Sequence, residues 1–464
     1  MSLRQRTKMK TIAMLKKSGA LALTLLASSV MAAVSEQEAA QLGGSLTPLG
    51  AEKAGNADGS IPAWTGGLKP SAGSADGNGF LSNPYAGDKP LFVITKDNLG
   101  QYKSKLTPGQ QAMFQRYPDT YRIPVYPTRR SASSPESIYA AAKNSAVTTQ
   151  LINEGNGLSN FTSHYYAFPI PKSGVEVVWN HETRYRGTNY TQTIAQATPQ
   201  VNGDYTIVEM QQELAFPQLM PDMDPAKAGN YLFFLKQAVT GPARLAGNVL
   251  LAYETIDQLK EPRQAWSYNA GQRRVRRAPQ VAYDGPGTAA DGLRTADNTD
   301  MYNGSPDRYQ WRLIGKREMF IPYNNYKLWS PQLKYSDILK PGHINQDHAR
   351  YELHRVWEVE GTLKPGQRHI YAKRHMYFDE DTWALVEVDH YDGRGQLWRV
   401  GEGYQVNDYQ HGVSTYAGQA LYDLIAGRYL VFGMMNESKR ATQYDQKFTQ
   451  QDFTPAALRN AGIR

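Results

Sequence analysis

The chain contains no cysteine. No disulfide framework, thiol nucleophile, Cys-based metal site or lipid-modified cysteine anchor can be built from it. Beyond the N-terminus, no stretch approaches the 18 apolar residues that a membrane-spanning helix needs, and the mean hydropathy is −0.58. Catalytic phrases are missing too. There is no G-x-S-x-G, no H-E-x-x-H and no phosphate-binding Walker loop. Gly315-Lys316 lacks the upstream glycine, His181-Glu182 lacks the second histidine, and Gly285-x-Gly287 does not complete a dinucleotide fingerprint.

Acidic residues are absent from the first 32 positions, where Arg4, Arg6, Lys8, Lys10, Lys16 and Lys17 form a basic front. An apolar run from Ala20 to Val30 follows, closing on Met31-Ala32-Ala33. That order of charge, short apolar run and small residues reads as a signal peptide over 1–32, cleaved near Ala32. The expected home is the periplasm. Export also corrects the charge. The full chain carries +8, and taking away six basic residues leaves +2, so the high pI is no argument for nucleic acid. With neither disulfides nor anchor, the mature chain folds on hydrophobic burial, for which more than 400 residues suffice.

What the chain does have is aromatic: 30 Tyr and 8 Trp, side chains that favour pleated, half-buried surfaces. Residues 33–94 are rich in Gly, Pro, Ser and Asp and read as an irregular strap, with Trp64, Phe80 and Tyr85 as pins. Residues 95–187 read as helical. Thr107-Pro108-Gly109-Gln110 is a capping-box start, Ser134-Pro135-Glu136 is expected to open a second helix the same way, and Gly174–Tyr185 makes a third. From about 188 to 464 the period falls to two. Strands are predicted at Tyr190–Ala197, Tyr205–Leu214, Tyr231–Thr240, Asn248–Asp257, Gln264–Tyr268 and Arg273–Arg277. Further strands are predicted at Trp311–Phe320, Tyr351–Leu363, Arg368–Phe378, Trp383–Tyr391 and Gln396–Val406. Turn signals such as Asn202-Gly203, Pro365-Gly366 and Asp392-Gly393 separate many of them, which makes an antiparallel meander. The fold class is α+β: one large curved antiparallel sheet with helices covering its concave face, and 33–464 as one unit.

Few groups offer chemistry. His369 and His375 lie on one predicted strand about 20 Å apart, too far to share an ion. His343 and His348 could join Asp347. Asp379-Glu380-Asp381 could hold calcium through its oxygens, but reads better as a tight turn, and Asp297 and Asp300 are no stronger. No metal and no cofactor are expected. The run Arg273–Arg277 alternates its side chains between faces, which points Arg274 and Arg276 to a rim able to meet an anion. Trp266 and Tyr268, Trp311 and Leu313, and Trp357 and Val359 pair on strand faces. They are the candidate lining of an apolar trough, with an ordinary core as the alternative.

The longer phrases carry a resemblance. LTPLGAEKAGNADGSIPAWTGG (46–67), VEVVWNHETRYRG (175–187), WSYNAGQRRVRRAP (266–279), HINQDHARYELHRVWEVEGTLK (343–364) and RHMYFDEDTW (374–383) occur in one order. Together they resemble the periplasmic domain-of-unknown-function family 1329 of the LolA/LolB-like, outer-membrane lipoprotein-sorting superfamily. The resemblance implies a half-open curved sheet whose trough carries lipid or acyl chains. It also implies partners, an inner-membrane RND-type exporter and an outer-membrane β-barrel. The expected function is that of a non-enzymatic carrier of a lipid or other hydrophobic compound. An enzyme acting on a hydrophobic substrate, or a scaffold bridging envelope proteins, is the alternative.

Overall fold

Period-two runs rich in Tyr, Val, Thr and Gln form strands, and the strands set the architecture. The computed structural model describes residues 33–462 except 163–164, 225–227, 279–280 and 282; the signal peptide read over 1–32 lies outside the described residues. Four short strands come first: β1 (Phe92–Ile94), β2 (Ile123–Val125), β3 (Gln150–Ile152) and β4 (Gly157–Ser159). A first meander follows: β5 (Tyr190–Ala197), β6 (Ile207–Ala215), β7 (Tyr231–Gly241), β8 (Val249–Thr255), β9 (Gln264–Asn269) and β10 (Arg274–Arg277). The second meander comprises β11 (Tyr309–Pro322), β12 (Tyr351–Leu363), β13 (Lys373–Asp379), β14 (Leu385–Tyr391), β15 (Leu397–Asp408), β16 (Val413–Asp423) and β17 (Arg428–Met434).

Within each meander, consecutive strands pair antiparallel. The last strand of the second, β17, pairs with the first strand of the first, β5, so the two fuse edge to edge. β2 adds beside the start of β12 through the parallel bridge Tyr351↔Val125 and brings β1 with it. The result is a single open sheet of 15 strands, an α+β fold with few helices. β3 and β4 form a separate ribbon.

Four helices matter here: α1 (Pro108–Arg116), α2 (Glu136–Thr148), α3 (Gly174–Thr183) and α4 (Ala457–Gly462). The Thr107 side chain accepts from the Gln110 N–H, and Gln110 returns to the Thr107 N–H, which is the predicted capping box. α2 departs from expectation. Its N-cap is Pro135, which offers no side-chain acceptor, and the Ser134 N–H donates to the Tyr139 hydroxyl at 2.8 Å instead. α3 is buried on every side from Glu176 to Thr183, more than its predicted single face. α1 rests on β14 and β15, α3 on β11 and β12, and α4 on β8, β9 and β10.

α1 and α3 take opposite faces of the second meander. Along β14, Glu387 and Asp389 bond to α1 at Gln110 and Gly109. The alternating Val386 and Val388 join the apolar cluster of Val177 and Val178 from α3. The strap is pinned as its aromatics suggest: Trp64 Nε1 donates to the Ala132 carbonyl at 3.0 Å, Phe80 is buried, and Tyr85 meets Tyr326 edge to face.

The sequence reading misses β1, β2, β3, β4, β16 and β17. It also starts β13 too early. His369 lies in the preceding turn and only His375 is on the strand.

Candidate functional site

Among the described residues, two voids are lined mainly by apolar surface. The first lies at the seam where the meanders fuse. Ile194, Leu214, Phe233 and Leu235 wall it from the first meander, and Val413 and Phe432 from the second. It encloses about 120 Å³, the share of about four waters. Its polar end is a three-residue clamp. Arg184 grips Asp300 through two bonds of 2.6 and 2.7 Å, and Arg186 adds two of 2.7 and 3.2 Å. Burial alone would raise the Asp300 carboxyl, but the two guanidiniums outweigh it and hold the group well below the usual carboxylate range. Asp300 sits at φ +57, a left-handed conformation stabilised by these contacts.

The second void is a groove of about 610 Å³ between the strap and the sheet. Its apolar wall is Leu91, Phe92, Tyr102, Val125, Phe320 and Leu353. Phe92 stacks on Tyr102 at 4.7 Å, and both meet Phe320 edge on, so the wall is built by aromatic packing. Residues 58–60 and Pro62 of the strap close one side, with Lys105 and Arg129 at the border. Leu91 is 64% exposed, a large apolar side chain left in water at the lip of an apolar cleft.

Buried carboxylates gather elsewhere. Glu402 accepts from Tyr121 (3.0 Å), Tyr351 (2.9 Å) and Tyr404 (2.6 Å). Glu387 and Asp389 lie beside it under α1, and burial pushes Asp389 up to about 7. Glu182 is pushed up to about 8, by burial and then by Glu254. None of these lines the seam cavity or the groove.

The six predicted trough residues divide between two clusters. Trp311, Leu313, Trp357 and Val359 pack in one, with Trp357 stacked on Trp383 at 5.9 Å. Trp266 and Tyr268 pack in another with Phe453 and Leu458 of the C-terminal segment. None lines the groove or the seam cavity. Arg274 and Arg276 are exposed on β10, at the opposite end of the strand order from β1 and β2. His343, His348 and Asp347 do not converge. The His343 ring nitrogens meet Ile344 O and Thr120 Oγ1, while Asp347 pairs with Arg122. Asp297 is engaged by Arg374 and His369. Asp379-Glu380-Asp381 is a strand-to-strand turn, and Glu380 points away to Lys316 and Arg355.

The groove residues escaped the sequence reading because they come from six separate stretches of the chain. The only local sign is Leu91–Ile94, an apolar run of four at the end of a strap rich in Gly, Pro, Ser and Asp.

Residues 93–459 match the family described as "Protein of unknown function (DUF1329)". The "Uncharacterized protein PA3922" of Pseudomonas aeruginosa is 63% identical over 456 residues, 98% of this chain and 100% of its own length. Among solved structures, a DUF1329 family protein from Desulfovibrio piger is 15% identical with a TM-score of 0.41, covering 59% of this chain and 92% of its own. The LolA superfamily protein NE2245 of Nitrosomonas europaea is 11% identical with a TM-score of 0.38, covering 61% and 98%.

Proposed function

Since the chain belongs to DUF1329, a family of proteins of unknown function, its activity has to be argued from its shape, and we propose that it is a periplasmic carrier of a hydrophobic compound. The observation that carries this reading is the groove. Its volume of about 610 Å³ falls within the range of about 300–1,000 Å³ typical of small-molecule sites. An apolar cargo seated there gains about 25 cal/mol for each Å² removed from water. At the border, Arg129 is taken by Asp88, while Lys105, only loosely paired with Glu318 at 3.8 Å, suits a cargo with an anionic end. The strap, which forms one side without contributing a strand of the main sheet until Phe92, is the element whose movement would admit and release it. Shuttling between an inner-membrane RND-type exporter and an outer-membrane barrel is the route that the family resemblance implies.

Binding rather than catalysis is favoured because the carboxylates with raised pKa line neither void, and a general acid or base must reach its substrate. The test is titration of the mature chain with the uncharged fluorophore N-phenyl-1-naphthylamine. Wild type should give saturable fluorescence enhancement, and Leu91→Asp or Tyr102→Asp should weaken binding about ten-fold or more with unchanged circular dichroism. Unaltered binding in both would remove the groove from the account. Loss in Trp266→Asp instead would move the cargo beneath the C-terminal segment, among the residues expected from strand alternation.

A further inference from the structure

Away from the groove, the end of β13 meets β12 in a buried cluster that the carrier reading does not use. His354, Asp379 and Asp381 each offer one ligand-type atom, and these atoms lie within 4.8 Å of one another. The side chains are 2%, 0% and 2% exposed. The His354 ring is oriented. Its Nε2 faces Glu352 Oε2 at 3.0 Å, and the Tyr323 ring stacks on it at 3.9 Å. Nε2 bound to a carboxylate leaves Nδ1 to present its lone pair, the arrangement by which proteins aim a histidine at a metal. Nδ1 stands 3.9 Å from Asp379 Oδ1, too far for a hydrogen bond. Spacings up to 4.8 Å are those of donors around one ion with bonds of about 2.0–2.4 Å.

The neighbouring charges isolate Asp379. Glu352 is paired with Arg350, Asp381 with Arg130, and Glu380 with Lys316 and Arg355. Asp379 has the His354 ring as its ion-pairing partner among the described residues. Its Oδ2 accepts from Thr382 Oγ1 at 2.6 Å, while its buried Oδ1 meets no donor. The Gln405 amide lies against the same carboxylate. Its Oε1 and the Tyr323 hydroxyl are also buried without hydrogen-bond partners. A buried carboxylate oxygen without a donor is costly, so Asp379 Oδ1, facing the His354 ring, marks a place for an electrophile.

The geometry points to a divalent transition-metal site formed by His354 Nδ1, Asp379 and Asp381, with Glu352 as the outer carboxylate that holds the histidine. One imidazole and two carboxylates suit Zn²⁺ or Mn²⁺; Ca²⁺ and Mg²⁺ prefer all-oxygen shells. The strap covers the site. Trp383 Nε1 donates to the Leu49 carbonyl at 2.8 Å, and Arg130 Nη2 to the Glu52 carbonyl at 2.7 Å. Metal binding would therefore tie residues 49–54 to the β13–β14 turn and raise stability with occupancy.

The test starts from the mature chain purified from the periplasm, stripped with EDTA and titrated with Zn²⁺ and Mn²⁺ by calorimetry. About one equivalent should bind and raise the melting temperature. His354→Gln and Asp379→Asn should each weaken binding about 100-fold or more. Should either variant fail to fold, pulsed EPR of the Mn²⁺-loaded wild type decides, since an imidazole ligand gives a ¹⁴N coupling. No binding, binding undiminished in both variants, or loaded Mn²⁺ without nitrogen coupling would each overturn the site.

Discussion

Along β6 of the first meander, buried and accessible residues alternate over much of the strand, whereas along β15 of the second every residue from Arg399 to Asp408 is buried. Both strands belong to the same sheet, so pairing is not the cause. The difference is what covers them. The second meander is sandwiched between α1 and α3 and takes its outward-pointing positions into the interior. Those positions carry charge: Arg374, Glu387, Asp389 and Glu402 are all at most 0% exposed. A sheet with one wet face can leave such groups in water, but a covered one must pair, hydrogen-bond or neutralise them.

The covered meander is most vulnerable at Arg374, which bonds Asp297 at 2.6 Å and lies 4.8 Å from the centre of the Tyr302 ring. Arg374→Met strands a buried carboxylate and should cost about 3–5 kcal/mol in urea unfolding; a cost near zero would mean that the covered face tolerates unpaired charge. Next comes the covering itself. A Cβ at Gly109 would stand 2.0 Å from Asp389 Oδ1 and 2.8 Å from Val400. Gly109→Ala should lift α1 from the sheet at a cost of about 1–3 kcal/mol, read by the same denaturation.

Asp389 gives the pH test. Its folded pKa of about 7 is raised by burial above the ordinary 3.8, so folding favours the protonated form. Its contribution is full below the unfolded value and drains away as pH rises through about 7. Asp389→Asn should therefore flatten the fall in melting temperature between about pH 4 and pH 7, with the full gain over wild type kept at higher pH. The smallest effect belongs to the first meander's edge. Arg276 is exposed on β10, and Arg276→Ala should stay within about 0.5 kcal/mol of wild type.

The same contrast explains what could be read in advance. In the first meander, polar residues alternate with apolar ones, and Tyr190–Ala197 was legible to the residue. In the second, the β16–β17 hairpin went unread because Ala417, Gly418, Ala420 and Gly433 dilute its alternation, although Gly427 at φ +65 marks its turn. Period two also assigns Glu387 and Glu402 to water, since nothing local announces that α1 will lie across them. The capping box at Thr107 was legible because it is a contact between residues three apart. The groove was not, because Leu91, Tyr102, Val125, Phe320 and Leu353 meet only after β1 and β2 dock beside β12. The His354 cluster is hidden for a similar reason: its histidine lies on a different strand, 25 residues before Asp379.

The measurement that bears most directly on the central claim is native mass spectrometry of the mature chain purified from the periplasm, followed by extraction of whatever dissociates. One apolar molecule per chain is expected, lost in Leu91→Asp with the fold intact. A chain that carries nothing from the periplasm and takes up no apolar probe would contradict that claim.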